Sequence, residues 1–346
     1  MRTMGYHPCL ADRDLWYKSI VRPDDGYKCY ACMLLYVDDC LSIHYDATSA
    51  LDELDWYFQM KPGSIGDPQY YLGAKLRQCT LPNGVMAWGM SFSKYVQEAV
   101  RNVEDYLRRN QQPGLSKRAT APFPSGYAAE LDDTRQLTPS EANYYQSQVG
   151  ILRWIVELGR VDIITEVSVL ASYLAVPRRG HMDAVYHVYA YLRRKHNARL
   201  VLDPTYPTED PLVHKSQDWL KFYGEVREAI PPNMPEPRGK EVDIRLFVDS
   251  SHADDKLHRR SRTGYLIYLN MSLVAWLSKK QATIETSVFG AEFVAMKIGI
   301  EALRGMRYKL RMMGAPISGP SLVCGDNMPV IHNTQRPEST LKKKSI

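Results

Sequence analysis

The sequence predicts a mixed fold, α+β or α/β, built of small sheets and helices. Three observations predict it. Short apolar runs between turn residues fill positions 28–90, helical spacing of apolar residues dominates 138–195, and short strands alternate with a long helix from position 242. The 346 residues suit about two domains of roughly 150 residues each. Hydrophobic residues make up 45% and charged residues 24%, which argues against wholesale disorder, collagen and coiled coil.

The first predicted unit covers residues 1–110. Two apolar strands over 28–46 are expected to meet at the acidic pair Asp38–Asp39, because acidic residues between apolar runs are typical of a hairpin turn. The elements expected after this hairpin are a helix with Leu51, Leu54, Tyr57 and Phe58 at helical spacing, strands over 70–76 and 85–90 around a turn at 82–84, and a helix over 93–109.

A linker over 111–137 leads to a helical region over 138–202. Its first helix begins with a predicted capping box, in which Thr138 caps, Pro139 takes the first helical position and Glu141 closes the box. The second helix follows Asp162 and stops before Pro177, since proline interrupts a helix. A third helix is expected over 181–195. Residues 203–240, with seven prolines, form a second linker.

The last unit, 241–346, has an α/β pattern. A strand over 244–248 leads into Asp249, and strands over 265–269 and 273–277 form a hairpin. The remaining elements are a helix over 288–312 and a strand over 321–324 that leads into Asp326.

Three acidic residues in this unit form a candidate metal site. Asp249 and Asp326 follow strands, and Glu292 lies in the long helix. Carboxylates at the carboxyl ends of neighbouring strands converge on one sheet edge, which a packed helix can complete. Such oxygen ligands hold Mg²⁺, and two such ions can assist phosphodiester cleavage. The alternative is that the aspartates form turns and the glutamate lies on the surface.

Charge and cysteine content narrow the expected partners and location. Residues 241–346 carry 16 basic against 10 acidic side chains and residues 142–200 carry eight against four, which suits a polyanion or, alternatively, plain solvated surface. Cys29 and Cys32 form the one Cys-x-x-Cys pair, on a predicted strand where residues three apart point to opposite faces, so buried reduced thiols are expected. With no apolar run near 18 residues and no signal-peptide pattern at the start, we expect an intracellular protein without a membrane partner.

The last unit resembles the ribonuclease H domain of Ty1/copia-type retrotransposon Pol polyproteins. The matching segments are 260–265, 276–281, 286–293, 325–327 and 336–344. The resemblance implies a ribonuclease H-like mixed sheet with helices, in which Asp249, Glu292 and Asp326 hold the Mg²⁺ ions that cut the RNA strand of an RNA–DNA hybrid.

The resemblance also suggests substrate contacts in this unit. Arg262, Lys279 and Lys280 would be candidates for binding phosphates, with exposed surface cations as the alternative.

The first unit resembles the C-terminal part of the same family's reverse transcriptase. The Tyr-Val-Asp-Asp segment at 36–39 is similar to its catalytic turn, and Asp38 and Asp39 would be catalytic metal ligands at a palm hairpin that binds primer-template. The segments 64–68 and 70–75 are similar to the downstream palm, and 148–154, 162–163 and 171–174 to the helical connection.

Departures from the family pattern reduce the activity that we expect. A further metal-binding aspartate of the polymerase lies well upstream of the turn, and only 35 residues precede Tyr36 here, so we expect no autonomous DNA synthesis. The family continues beyond Lys344 into another helix, and Pro329 stands where serine is more usual. We therefore expect a Pol fragment truncated at both ends, which would work with the remainder of the polyprotein.

Two other functions stay open from the sequence. The chain could be a non-catalytic relic that at most binds nucleic acid through its basic blocks. Alternatively, it could be a standalone Mg²⁺-dependent ribonuclease H.

Overall fold

Helices and sheets together form the chain, which confirms the predicted mixed α+β fold. The computed structural model describes residues 1–208, 219–225, 227–317 and 319–339. Within these ranges the strands form three four-stranded sheets. In chain order the strands are β1 (His7–Pro8), β2 (Leu15–Val21), β3 (Lys28–Tyr36), β4 (Asp39–Ile43), β5 (Tyr70–Tyr71), β6 (Ala74–Thr80), β7 (Met86–Ser91), β8 (Leu200–Leu202), β9 (Ile244–Ser251), β10 (Arg262–Leu269), β11 (Ser272–Lys280) and β12 (Leu322–Cys324).

Most helices lie at the predicted positions, but the predicted second helix of the central region is α-helical only over Ile164–Leu170, and the helices over Trp219–Tyr223 and Met328–Gln335 were not predicted. Thr138 and Glu141 form the predicted capping box, with Pro139 at the start of the helix. The long helix covers the same residues as predicted. In order the helices are α1 (Ala47–Phe58), α2 (Ser93–Arg109), α3 (Pro139–Glu157), α4 (Ile164–Leu170), α5 (Arg179–Arg194), α6 (Trp219–Tyr223), α7 (Val288–Met312) and α8 (Met328–Gln335).

The first sheet is an antiparallel meander in the order β1-β2-β3-β4. Its last hairpin turns at Val37 and Asp38, because Tyr36 pairs with Asp39. The predicted turn at Asp38–Asp39 was therefore one residue too late, and Asp39 is the first residue of β4. On α1, Leu54 is buried as the spacing predicts, whereas Tyr57 and Phe58 are exposed.

The second sheet has the order β5-β6-β7-β8. The single strand predicted over 70–76 was wrong, since Leu72 and Gly73 break it into the tight hairpin of β5 and β6. Both residues have positive φ, 49° and 76°, the geometry of a two-residue type I′ turn in which glycine is favoured. The predicted turn at 82–84 is present, and the Asn83 side chain accepts a hydrogen bond from the Val85 backbone N–H.

The central helices share one hydrophobic core. Residues of α2, α3, α4 and α5 are buried together, among them Val103, Leu152, Leu170 and Val188. β8, which follows the helices, pairs with β7 of the second sheet. The first and central predicted units are thus packed together across residue 110, and the predicted division into domains stays a prediction.

The third sheet, in the order β11-β10-β9-β12, carries α7 on one face. β12 runs parallel to β9 while β10 and β11 are antiparallel, and a parallel pair requires a long crossover connection, in which α7 lies. Leu246 and Val248 on β9 pack against α7 at Gly299, where an added Cβ would lie 3.0 Å from Leu246. Gly299 therefore permits close approach of helix and sheet. Asp249 lies inside β9, two residues before its end, and not after it as predicted.

The C-terminal end of α7 contacts the first sheet. Met312 is buried with Cys9 and Leu15. Just beyond the helix, Gly314 lies so close to Tyr30 that an added Cβ would come within 2.3 Å of its ring. The Tyr30 hydroxyl also donates to the carbonyl of Glu236, 2.6 Å away. One long helix thus joins the third sheet to the first.

Much of the predicted linkers lacks regular structure. In the first, residues 111–137, the one short helical turn is Ala129–Leu131. The second, over 203–240, contains α6, and part of it lies outside the described residues. The Lys342–Lys344 run, matched in the sequence resemblance, also lies outside them. Pro329 takes one of the first two positions of α8, where proline is readily tolerated.

Candidate functional site

The three acidic residues of the last unit lie side by side. Each of Asp249, Glu292 and Asp326 offers an oxygen within 4.8 Å of the oxygens of the other two. Asp249 and Asp326 are exposed, and Glu292 is buried. This is the one group of three or more potential ligands found among the described residues. Its oxygen donors suit a hard divalent cation such as Mg²⁺, and metal binding here stays a prediction.

The fold explains why residues so distant in sequence meet. Asp249 comes from β9 and Asp326 from the segment just after β12, and these two strands are parallel neighbours. The carboxyl ends of parallel strands lie at the same sheet edge. Glu292 lies in the first turns of α7, which Ser287 caps by accepting a hydrogen bond from the Gly290 N–H. The crossover helix thus brings its glutamate to that edge.

This arrangement disfavours the ionised form of the Glu292 carboxyl group. Burial, followed by the nearby carboxylates of Asp249 and Asp326, raises the pKa of Glu292 from 4.5 to about 7. Burial disfavours the ionised form, and like charges disfavour it further. A bound cation would relieve both effects, so the electrostatics of the cluster fit a cation site.

A buried glutamine braces the two sides of the cluster. The side-chain amide of Gln281 donates to Ser250 Oγ (3.2 Å), Thr263 Oγ1 (3.1 Å) and the carbonyl of Ala291 (2.9 Å). Ser250 adjoins Asp249 in sequence, and Ala291 adjoins Glu292. No role was predicted for Gln281, although it lies in a segment that carries the resemblance. Gln281 comes four residues after the predicted strand 273–277, and it follows directly only the longer observed strand Ser272–Lys280.

A cavity of 720 Å³ opens beside the carboxylates. Asp249 and Asp326 line one side, and apolar residues of the sheet line the floor. Ile164 and Thr165, from α4, line the opposite wall, and the Thr165 hydroxyl lies 3.5 Å from that of Ser278. The helical region therefore contributes to the pocket, which nothing in the sequence pattern predicted.

The three predicted phosphate-binding cations have different surroundings. Lys279 is exposed. Lys280 donates to Asp255, 2.7 Å away, and this ion pair ties up its charge. Arg262 lines the cavity, is 9% exposed, and donates through Nη1 to Ser168 Oγ at 2.7 Å.

The guanidinium of Arg262 is not balanced by a direct ion pair. Its Nε is buried without a hydrogen-bond partner, and none of the described carboxylates lies within ion-pair distance of it. Burial lowers the pKa of Arg262. Of the three predicted cations, Arg262 is the one that lines the cavity beside Asp249 and Asp326.

The acidic pair of the first unit lies elsewhere. Asp38 and Asp39 line a separate cavity of 1160 Å³ together with residues 59–71. A carboxylate oxygen of Asp39 accepts a hydrogen bond from the Leu72 N–H at 3.4 Å. Within the described part of the chain, neither aspartate belongs to a group of three metal-ligating side chains.

The cysteines do not group into a metal site within the described residues. None of the six forms a disulfide, and Cys9 is buried while the other five are half-buried. Burial raises the pKa of Cys32 to about 11, so this thiol stays protonated at neutral pH. The expectation of buried thiols for Cys29 and Cys32 was too strong, since both are half-buried. None of the described helices is long and apolar enough to cross a bilayer.

The chain is thus an α+β protein with three carboxylates that converge at a sheet edge and an acidic hairpin tip. Comparison with known proteins shows which sequences it is similar to. The chain is 23% identical over 351 residues to the retrovirus-related Pol polyprotein from transposon RE1 of Arabidopsis thaliana, covering 99% of the chain and 20% of that protein. It is 25% identical over 307 residues to the Pol polyprotein from transposon TNT 1-94 of Nicotiana tabacum, covering 85% of the chain and 19% of that protein.

A shorter relative matches over most of its own length. An uncharacterized mitochondrial protein of Arabidopsis thaliana is 23% identical over 271 residues, which cover 77% of this chain and 90% of the relative. These matches confirm the predicted resemblance to Ty1/copia-type Pol polyproteins. The chain spans about a fifth of the length of the polyproteins it matches. No protein-family model matches the chain, and no solved structure matches it.

The raised pKa of Glu292 predicts a pH-dependent effect of Glu292→Gln on stability. Below pH 4 the glutamate is protonated in both folded and unfolded chains, so the two proteins should differ little. As pH rises from 4.5 through 7, the unfolded glutamate ionises before the folded one, and wild type loses stability that the glutamine variant keeps. At pH 8 the variant should be more stable by about 3 kcal/mol in urea denaturation without divalent cations.

Glu301→Gln is the matched control, because Glu301 is an exposed glutamate on the same helix. It should shift the free energy of unfolding by less than about 0.5 kcal/mol at either pH. An equal free energy of unfolding for wild type and Glu292→Gln at pH 8 would contradict the raised pKa.

Gln281→Met tests the brace between the two sides of the cluster. Methionine has a similar shape but leaves the three acceptors of Gln281 without their donor, which should lower the free energy of unfolding by about 2 kcal/mol. The measurement is urea denaturation at neutral pH. Gln78→Met, at an exposed strand position, is the control and should change little. If Gln281→Met has the same free energy of unfolding as wild type, the hydrogen bonds of Gln281 contribute nothing to stability.

Proposed function

We propose that the last unit is a divalent-cation-dependent nuclease that cleaves the RNA strand of RNA–DNA hybrids. The observation that carries the proposal is the convergence of Asp249, Glu292 and Asp326 within 4.8 Å. The similarity to transposon Pol polyproteins supports a nucleic-acid substrate. The chain spans about a fifth of the length of those relatives. The activity and substrate are therefore proposed from the carboxylate site and from the segments that resemble the family.

The three carboxylates would hold the cations. Bound Mg²⁺ supplies an activated water molecule and charge stabilisation for the leaving oxygen of the phosphodiester. Glu292 must lose its proton to serve as a ligand, and its pKa of about 7 makes this loss possible near neutral pH. Asp249 and Asp326 are exposed, so a phosphate can approach them from solvent, while buried Glu292 closes the inner side of the site.

Arg262 is the residue best suited to position the substrate. It lines the cavity beside Asp249 and Asp326, and its charge is not neutralised by a direct ion pair among the described residues. A phosphate of the bound strand would supply the missing negative charge. Lys279, being exposed, would add a weaker and more salt-sensitive contact. Lys280 is less suited, because Asp255 already occupies its ammonium group.

A second function concerns the acidic hairpin. We infer that Asp38 and Asp39 derive from a reverse-transcriptase turn but do not support DNA synthesis in this chain. The support is that two-metal polymerase chemistry needs a further carboxylate, and none joins this pair among the described residues.

Asp249→Asn tests the nuclease proposal on a labelled RNA–DNA hybrid with Mg²⁺. Wild type should cut the RNA strand. Loss of an outer partner of a metal ligand typically costs 10- to 100-fold, so loss of a ligand itself should reduce cleavage at least about 100-fold. Asp254→Asn is the matched control, since Asp254 is an exposed aspartate lining the same cavity outside the carboxylate cluster. It should retain most of the cleavage.

A second readout separates metal binding from catalysis. Mg²⁺ should raise the melting temperature of wild type and of Asp254→Asn, but not of Asp249→Asn. Salt-sensitive hybrid binding without cleavage, and without stabilisation by Mg²⁺, would overturn the nuclease proposal and favour a binding relic. Cleavage by wild type in isolation would favour a ribonuclease that needs no other part of the polyprotein.

Primer extension on an RNA template tests the inference about Asp38 and Asp39. Wild type should add no nucleotides above background with Mg²⁺ and all four deoxynucleotides, because the metal site at the hairpin is incomplete. The control is Asp39→Asn, which should give the same background. Synthesis by wild type that disappears in Asp39→Asn would contradict the inference.

A further inference from the structure

The second half of α7 carries a basic face that the nuclease site does not use. Arg304, Arg307, Tyr308 and Arg311 follow one another at spacings of three, one and three residues, so they lie on one side of the helix. This face is fifteen residues, or about 22 Å of helix, away from Glu292. It therefore belongs to a different part of the surface from the carboxylate cluster.

One carboxylate from the second linker, residues 203–240, contacts this face. Glu228 accepts from Arg307 Nε (3.0 Å) and Nη2 (2.7 Å), and from Arg311 Nη2 (2.7 Å). Arg307 also donates through Nη1 to the carbonyl of Gly319 (3.1 Å) and to Ser321 Oγ (2.8 Å). Two guanidinium groups thus present their donors to a single anion, the arrangement that also binds phosphate.

The arginines are more firmly placed than the glutamate that they bind. The side chains of Arg307 and Arg311 are 13% and 11% exposed, whereas Glu228 is 39% exposed. The arginines lie on a long helix, and Glu228 lies in a segment without regular secondary structure. Arg311 Nε is buried with no hydrogen-bond partner, so Glu228 leaves a donor of the pair unused.

The space around this contact is larger than a carboxylate needs. A cavity of 850 Å³ surrounds it, within the range of small-molecule sites. Four arginines and two glutamates contribute its charges, and Tyr308, 47% exposed, offers an aromatic face. The charged residues are Arg227, Arg304, Arg307, Arg311, Glu228 and Glu301.

We propose that this face of α7 is a phosphate-binding pocket which Glu228 occupies as an internal substitute for the ligand. The ligand would be a nucleotide phosphate, either free or in a single strand, with its base against Tyr308. Arg307 and Arg311 would bind the phosphate after Glu228 leaves, and exposed Arg304 would contact a neighbouring charge. The proposal does not depend on the carboxylate cluster or on nuclease activity.

Displacement and not protonation must open the pocket. Hydrogen bonds from Arg307, followed by those from Arg311, lower the pKa of Glu228 to about 2. The glutamate is therefore charged at every physiological pH and competes with an incoming anion throughout. A ligand with two or more negative charges would gain more from the two guanidinium groups than the single carboxylate does.

The test measures binding of a short fluorescein-labelled single-stranded DNA by anisotropy, using the full chain. DNA is chosen because the proposed nuclease cuts RNA. If Glu228 occupies the pocket about 90% of the time, Glu228→Gln should bind about tenfold more tightly than wild type. Glu236→Gln is the matched control: it removes the same charge from the same predicted linker, where exposed Glu236 pairs with Arg238 and neither residue lines the cavity.

Two further variants test whether Arg307 and Arg304 bind the DNA. Arg307→Gln in the Glu228→Gln background should abolish the gain in affinity. Because Arg307 also holds Gly319 and Ser321, exposed Arg304→Gln provides a second test that should weaken binding without affecting stability. Equal affinity of Glu228→Gln and Glu236→Gln would overturn the proposal, as would full binding by both arginine variants.

Competition distinguishes the sources of phosphate. Inorganic phosphate and a nucleoside monophosphate are each added to the Glu228→Gln complex at matched concentrations. Equal competition by the two would show that the pocket binds the phosphate alone. Stronger competition by the nucleotide would show that its base also contacts the protein, as expected at Tyr308. The measurement is DNA binding and requires no cleavage, so failure of the nuclease proposal does not affect this one. Failure of both ligands to compete would overturn the pocket.

Discussion

The packing of α7 on β9 is the contact on which the rest of the C-terminal architecture depends. Gly299 allows the helix to lie directly on Leu246 and Val248, with no side chain to hold them apart. That close approach brings Glu292, two helical turns earlier, to the sheet edge where Asp249 and Asp326 lie. A bulkier residue at 299 would lift the helix and separate the glutamate from both aspartates.

The two ends of this helix carry opposite charges for different reasons. At its first turns three carboxylates converge, and burial followed by repulsion from Asp249 and Asp326 raises the pKa of Glu292. At its last turns arginines converge, and Glu228 from the second linker neutralises part of their charge. The basic cluster thus has an internal counter-ion, whereas the acidic cluster has none among the described residues. That asymmetry is the electrostatic reason for expecting a cation at the first end, and a displaceable carboxylate at the other.

The sequence predicted local structure well where the signal was itself local. The capping box at Thr138 and Glu141, the limits of α7 and the turn at Asn83 each depend on neighbouring residues. The hairpin at Leu72 and Gly73 was missed because apolar residues continue through it, and the break appears only in the positive φ angles. The three carboxylates could be chosen from their positions after strands and on a helix. The Gln281 brace and the cavity wall from α4 could not, because both depend on tertiary contacts.

The acidic hairpin of the first sheet has an unusual backbone geometry at its tip. Val37 is 93% exposed and has φ of 54°, at the first position of a two-residue turn where glycine is favoured. A β-branched residue in the left-handed region costs on the order of 1–3 kcal/mol, and such strain is concentrated at functional sites. Nothing Val37 contacts repays that cost, since its side chain lies in solvent. The strain is understandable if the turn was selected to present Asp38 and Asp39, whose carboxylates line the cavity beside it. The geometry of the tip is therefore a second observation, beside the two aspartates, that supports the proposed origin of this turn.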